Sequence, residues 1–110
     1  MKGILIDPDK QEVKEVEFPG GLQSYYDLLD CDLIDRYPLD NNNDIVLDDE
    51  GHYKGHETFF SIEIDGEPAF FIGKSVIVGV NHDTGDWVDP INLSVEDVKV
   101  KFYKKKEIEE

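Results

Sequence analysis

One run of apolar residues, and only one, repeats at the helical period. Leu22, Tyr25, Tyr26, Leu29 and Leu33 stand at i, i+3, i+4, i+7 and i+11, the stripe of an amphipathic helix of two to three turns. A helix that short is unstable alone, so it must lie on a sheet. Nearly every other apolar stretch alternates or forms a short β-branched run. What this chain permits is therefore one helix packed on strands.

The strands can be read from their punctuation. Gly3–Ile6 is an apolar run closed by Asp7-Pro8-Asp9-Lys10, a turn in which Pro fixes φ and Asp bonds its own backbone. Gln11–Phe18 returns from it, and Pro19-Gly20-Gly21 breaks the chain before the helix. Leu33–Pro38 alternates, Asp40–Asp44 reads as a loop, Ile45–Leu47 as a short strand and Asp48–Gly51 as a turn. Phe60, Ile62 and Ile64 face one way, and Asp65-Gly66 then separates them from Pro68–Ile72. Asp-Gly between two such runs predicts a type I′ hairpin, and Pro68 predicts an edge strand because it cannot donate to a ladder. Ser75–Val80 is nearly all apolar, the pattern of a central strand. Residues 81–86 form another turn, and Ser94 with Asp97 predicts one helical turn before a last strand through Val98, Val100 and Phe102. The expected class is α+β: a mainly antiparallel sheet of six to eight short strands with one amphipathic helix packed on it. Residues 1–103 are expected to form a single domain, with 104–110 a charged, frayed tail.

Charge narrows the function classes. The chain has 110 residues with 26 Asp plus Glu against 11 Lys plus Arg, a net charge of −15. Residues 1–98 carry a net −17, and the remainder, with Lys99, Lys101, Lys104, Lys105 and Lys106, a net +2. Such a field repels nucleic acid and anionic membrane and draws basic surfaces. The densest acidic stretch holds Asp27, Asp30, Asp32, Asp35, Asp40, Asp44, Asp48, Asp49 and Glu50 against Arg36 alone. These nine are the candidate binding residues. Cys31 is the single cysteine, which excludes an internal disulfide and fits a reducing compartment. The opening residues lack the pattern of a signal peptide and no stretch approaches the length of a membrane span, so a cytoplasmic location is expected.

No arrangement of residues carries catalysis. Asp40-x-Asn42-x-Asp44 begins like a calcium loop, but Ile45 stands where glycine is needed and Gly51 where a bidentate Glu belongs. His52 and His56 are four apart, but Gly51 and Gly55 argue against the helix that would bring their rings together. A zinc site there would need a third ligand such as Glu57 or Asp49. Asp30 and Asp32 flank Cys31 and hold its thiol protonated, which makes it a poor nucleophile. Ser24, Ser61, Ser75 and Ser94 sit in no nucleophile elbow. His82-Asp83 reads as turn chemistry, and Gly20-Gly21 lacks the Lys and Ser/Thr of a phosphate loop. No catalytic residue, metal site or cofactor is expected.

The order of these elements resembles a known group. Ile4-Leu5-Ile6-Asp7-Pro8, then Glu12–Phe18 and Leu22–Leu29, then Asp49-Glu50-Gly51 with Lys54-Gly55, and last Gly73–Val80 with Asp83-Thr84-Gly85 are similar to a family of small proteins of unknown function from bacteria, phages and other mobile elements. The resemblance spans about residues 3–100. It implies a genomic setting rather than a reaction, since the family has no established catalytic residues to carry over. The expected function is a non-enzymatic acidic interaction protein that engages a basic protein surface, in its narrow form a mimic of DNA. The alternative is a small-molecule or metal-binding domain, with its site at Asp48–Glu57 and His82.

Overall fold

A computed structural model describes residues 1–50 and 57–104. The strands are β1 (Lys2–Asp7), β2 (Glu12–Glu17), β3 (Ile34–Pro38), β4 (Asn43–Asp48), β5 (Thr58–Ile64), β6 (Glu67–Ile72), β7 (Ser75–Val80), β8 (Trp87–Val88) and β9 (Val100–Lys104), with helix α1 at Leu22–Leu29 and a 3-10 turn at Val95–Asp97. The class is α+β with antiparallel pairing throughout, but the strands make two sheets rather than one. The larger runs β2-β1-β7-β4-β3, with β8 pairing the far end of β7, and the smaller runs β6-β5-β9.

The sheet order explains the apolar runs. Two hairpins, β1–β2 and β3–β4, flank β7, which pairs with both β1 and β4. The three inner strands are covered on both faces, so Ile4–Ile6, Ile45-Val46 and Val76–Val78 are buried without alternation. Ile4, Ile6, Ile45 and Ile77 point toward the smaller sheet and meet Phe60, Ile62 and Phe71. Leu5, Val46, Val76 and Val78 point the other way and meet Phe18, Tyr25, Leu29 and Cys31, so α1 lies over that face. The molecule has three layers: helix, large sheet, small sheet.

Local chemistry sets the boundaries. Helix α1 begins at Gly21, where the Ser24 hydroxyl donates to the Gly21 carbonyl and accepts from the Gly20 amide. It ends at Asp30, whose left-handed backbone (φ 52°) turns the chain away while its N–H bonds the Tyr26 carbonyl. Asp65 and Gly66 have φ of 53° and 82°, the values a type I′ hairpin demands. Pro68 lies on edge strand β6, and Ser94 and Asp97 close a reciprocal capping box. Strand β4 starts at Asn43, inside the expected Asp40–Asp44 loop. The reason is Asn43's side-chain amide, which accepts from the Ile91 amide at 2.8 Å and donates to the Ile91 carbonyl at 3.0 Å. That clasp holds the 89–91 segment flat against β7. A Cβ on Gly79 would collide with the Asp89 carbonyl oxygen, so only glycine permits the approach. The two-residue strand β8 was not expected. It exists because this clasp and the Asn81–Asp86 turn deliver Trp87 beside Val80.

Candidate functional site

The nine candidate acids divide into exposed and buried sets. Asp27, Asp30, Asp32, Asp35, Asp40 and Asp49 are exposed, Glu50 is half-buried, and Asp44 and Asp48 are buried. Asp27 and Asp30 lie at the C-terminal end of α1, where the helix dipole is already negative, and no basic residue stands in its last turn. Asp32 follows in the connection, Asp35 lies on edge strand β3, and Asp49 is tied to the same region by its amide, which bonds the Leu33 carbonyl. Asp27 and Asp30 thus lie with the helix, whereas Asp35, paired with Leu47, and Asp49 line a cleft against Phe70, Phe71 and Ile72 of the small sheet. Lys74 donates to Asp30 at 2.8 Å, and that hydrogen bond holds its ammonium above the usual lysine range. Asp40 lies at the opposite end of β3. Its carboxylate accepts from the Asn42 and Asn43 amides, which is turn chemistry.

Acids also stand exposed elsewhere: Glu15 and Glu17 on β2, Glu63, Asp65 and Glu67 on the β5–β6 hairpin, and Asp83, Asp86 and Asp89. The small sheet's outer face differs from the rest. Phe59 and Tyr103 stack with centroids 5.0 Å apart, and Phe70 stands 6.0 Å from Tyr103. Lys99 and Lys101 line the groove beside them.

Two buried acids have separate surroundings. Asp48 accepts from the Glu50 amide at the hairpin end. Asp44, at the start of β4, floors a cleft of about 490 Å³ walled by Arg36, Pro38, Asp40, Asn41, Val80, His82, Gly85 and Trp87. Its Oδ2 accepts from Arg36 Nη1 at 3.2 Å and from the Trp87 indole N–H at 3.1 Å. Trp87 is in turn fixed by Tyr25, with ring centroids 4.8 Å apart, and burial pushes the Tyr25 phenol above its usual range. His82 is exposed, its Nε2 2.6 Å from the Asn41 carbonyl oxygen. Asp83 beside it donates its amide to the Asn81 side-chain oxygen at 3.0 Å, which is turn chemistry.

Of the alternative site, residues 51–56, His52 and His56 among them, lie outside the described residues. Asp48 and His82 lie at opposite ends of β4. Among the described residues, no three His, Cys, Asp or Glu side chains gather as metal ligands, and no helix is long and apolar enough to cross a membrane. Cys31 is buried under α1. Sequence reasoning missed the cleft. Its parts, Arg36, Asp44 and Trp87, are far apart in sequence, and the one available signal was that Arg36 and Trp87 are the chain's sole arginine and sole tryptophan.

The described residues thus form a three-layer α+β fold with many exposed acids and a polar cleft over Asp44. The model of a domain of unknown function, DUF3846, matches residues 1–105, and the chain belongs to that family. No curated protein and no solved structure matches it.

Proposed function

We propose that this domain is a non-enzymatic interaction module whose acidic side engages a basic protein surface. The observation that carries this reading is the crowding of Asp27, Asp30 and Asp32 at the negative end of α1. Each acid there opposes the helix dipole, by about 0.3–1 kcal/mol at an exposed helix end. Lys74 pairs with Asp30, and Arg36, the one base within the acidic stretch, pairs with Asp44. A cationic companion relieves that repulsion, and the field speeds its encounter.

The test is affinity capture from host lysate with the intact chain and with a variant carrying Asp27→Asn, Asp32→Asn, Asp35→Asn and Asp49→Asn. A basic protein is expected on the intact chain and at least about tenfold less on the variant. It is also expected to elute as salt rises from about 0.1 M to about 1 M, which shortens the Debye length from about 10 Å to about 3 Å. Undiminished capture by the variant overturns the reading. In the phage or mobile-element setting that the resemblance implies, the narrower form is a mimic of DNA inside a nuclease-type groove. Duplex DNA must then displace the module from its partner. A partner indifferent to DNA removes mimicry and leaves the broader reading.

A further inference from the structure

We propose that the outer face of the small sheet is where two copies of this chain join. This goes beyond the reading above and does not depend on it. The large sheet has both faces covered, whereas the small sheet buries the face that carries Phe60, Ile62 and Phe71. Its other face carries the rings of Phe59, Phe70 and Tyr103, gathered within 6.3 Å of one another, and Phe70 is 57% exposed. Rings grouped on a solvent face mark an interaction surface.

Charge selects the occupant. A basic surface is opposed by Lys99 and Lys101, which line the groove beside Phe70 and Tyr103, and a purely acidic one is opposed by Glu63 in the same groove. A face with both signs fits a partner with both, and a second copy supplies them in register. Strands β5 and β9 pair Phe59 with Tyr103 and Ser61 with Lys101, so the next outward pair in line is Glu63 with Lys99, just ahead of β9. A two-fold axis along the strands, between β5 and β9, lays β5 of one copy over β9 of the other. Phe59 then stands opposite Tyr103, Ser61 opposite Lys101 and Glu63 opposite Lys99. Among the described residues Glu63, Lys99 and Lys101 form no ion pair of their own, so all three are open to one across the axis. Asp27 and Asp30 on α1 lie beyond the large sheet from this face, so the acidic helix ends point away from each other in the pair. What opposes association is the long-range repulsion of two chains of net charge −15, which salt screens.

The test is sedimentation equilibrium of the intact chain at about 0.1 M and about 0.5 M salt. A monomer–dimer equilibrium is expected, tighter at the higher salt. Phe70→Ser removes an exposed ring from the centre of the face and is expected to weaken dimerisation at least about tenfold. Glu63→Lys and Lys99→Glu are each expected to weaken it about five- to tenfold, even though Glu63→Lys lowers the net charge that drives the copies apart. The doubly reversed chain has the net charge of the intact one, and its dimerisation is expected to return to within about twofold. Glu63, Phe70 and Lys99 are exposed, so these variants keep the fold. An intact chain that stays monomeric to about 1 mM at both salts overturns the proposal. So does Phe70→Ser that dimerises like the intact chain, or a doubly reversed chain no tighter than the single reversals. Dimerisation that weakens as salt rises overturns it as well, because that is the signature of acids on one copy meeting lysines on the next without the two-fold.

Discussion

The large sheet has two covered faces, and they are built from different materials. Against the small sheet it presents Ile4, Ile6, Ile45 and Ile77 to Phe60, Ile62, Phe71 and Val98, a layer of hydrocarbon. Against the helix it presents Leu5, Val46, Val76 and Val78 to Phe18, Tyr25, Leu29 and Cys31, with Trp87 at its margin. The helix-side layer thus contains side chains with polar tips, and those tips lead outward. The Tyr25 hydroxyl lies 3.8 Å from the Met1 sulfur, and the Trp87 indole reaches Asp44 in the cleft. The difference separates two tasks. The sheet-to-sheet layer holds the molecule together, and the helix-side layer joins the core to a polar site.

The comparison breaks most readily at Phe60. Its ring is fully buried between the sheets, 5.5 Å from the ring of Phe71. Phe60→Ala is expected to cost about 3–5 kcal/mol in urea unfolding, because neither sheet can collapse into the space. A cost below about 1.5 kcal/mol would mean that this layer is not the one that holds the fold. Gly79→Ala comes next. The added methyl meets the Asp89 carbonyl and Ile91, so the Asn43 clasp must open. A loss of about 1–3 kcal/mol is expected, and a neutral result would show that the 89–91 segment is easily displaced.

Much of this architecture could be read from residues alone. The helix was legible at Leu22–Leu29 because its spacing has no competitor, and the Asp65-Gly66 hairpin because few sequences tolerate two positive φ values in succession. Ser75–Val80 declared itself central because burial on both faces removes alternation. The split into two sheets was not legible. An inward stripe on β5 looks the same whether its strand extends the large sheet or faces it, since period-2 patterning records burial and not the identity of the covering layer. The acids posed a similar problem. Asp40, Asp44 and Asp48 look alike in sequence, yet one caps a turn, one floors a cleft and one lies buried at a hairpin end. Register decided which, through the pairing of Pro38 with Asp44 and Ile34 with Asp48.

One polar atom disturbs the hydrocarbon layer. Ser75 is fully buried, and among the described residues its Oγ is the one buried side-chain atom without a partner. An orphan hydroxyl carries its desolvation penalty uncompensated, about 1–3 kcal/mol. Ser75→Ala removes it and leaves only a small void. Stability is expected to stay level or rise by up to about 1 kcal/mol. A clear loss would mean that the hydroxyl is paired after all, and that the layer is less purely apolar than the comparison holds.

The smallest expected effect lies at the end of that same layer, where the 3-10 turn seats Val95 and Val98 against it. Asp97 accepts from the Ser94 amide at 2.9 Å and from the Ser94 hydroxyl at 3.0 Å. The backbone hydrogen bond, with the hydroxyl second, holds its carboxyl below the ordinary aspartate value of 3.8. A folded-state value below the unfolded one gives a contribution that is whole above pH 3.8 and lost as the pH falls through the folded value. Exposure keeps the contribution small, so global unfolding is a poor probe and the Ser94 amide is a good one. Its hydrogen-exchange protection should fall as acid protonates Asp97, and Asp97→Asn should flatten that acid profile. Protection that persists below the titration, in the native chain, would place the hold on the turn in Val95 and Val98 rather than in the cap, and the sheet-to-sheet layer would then need no polar closure at all.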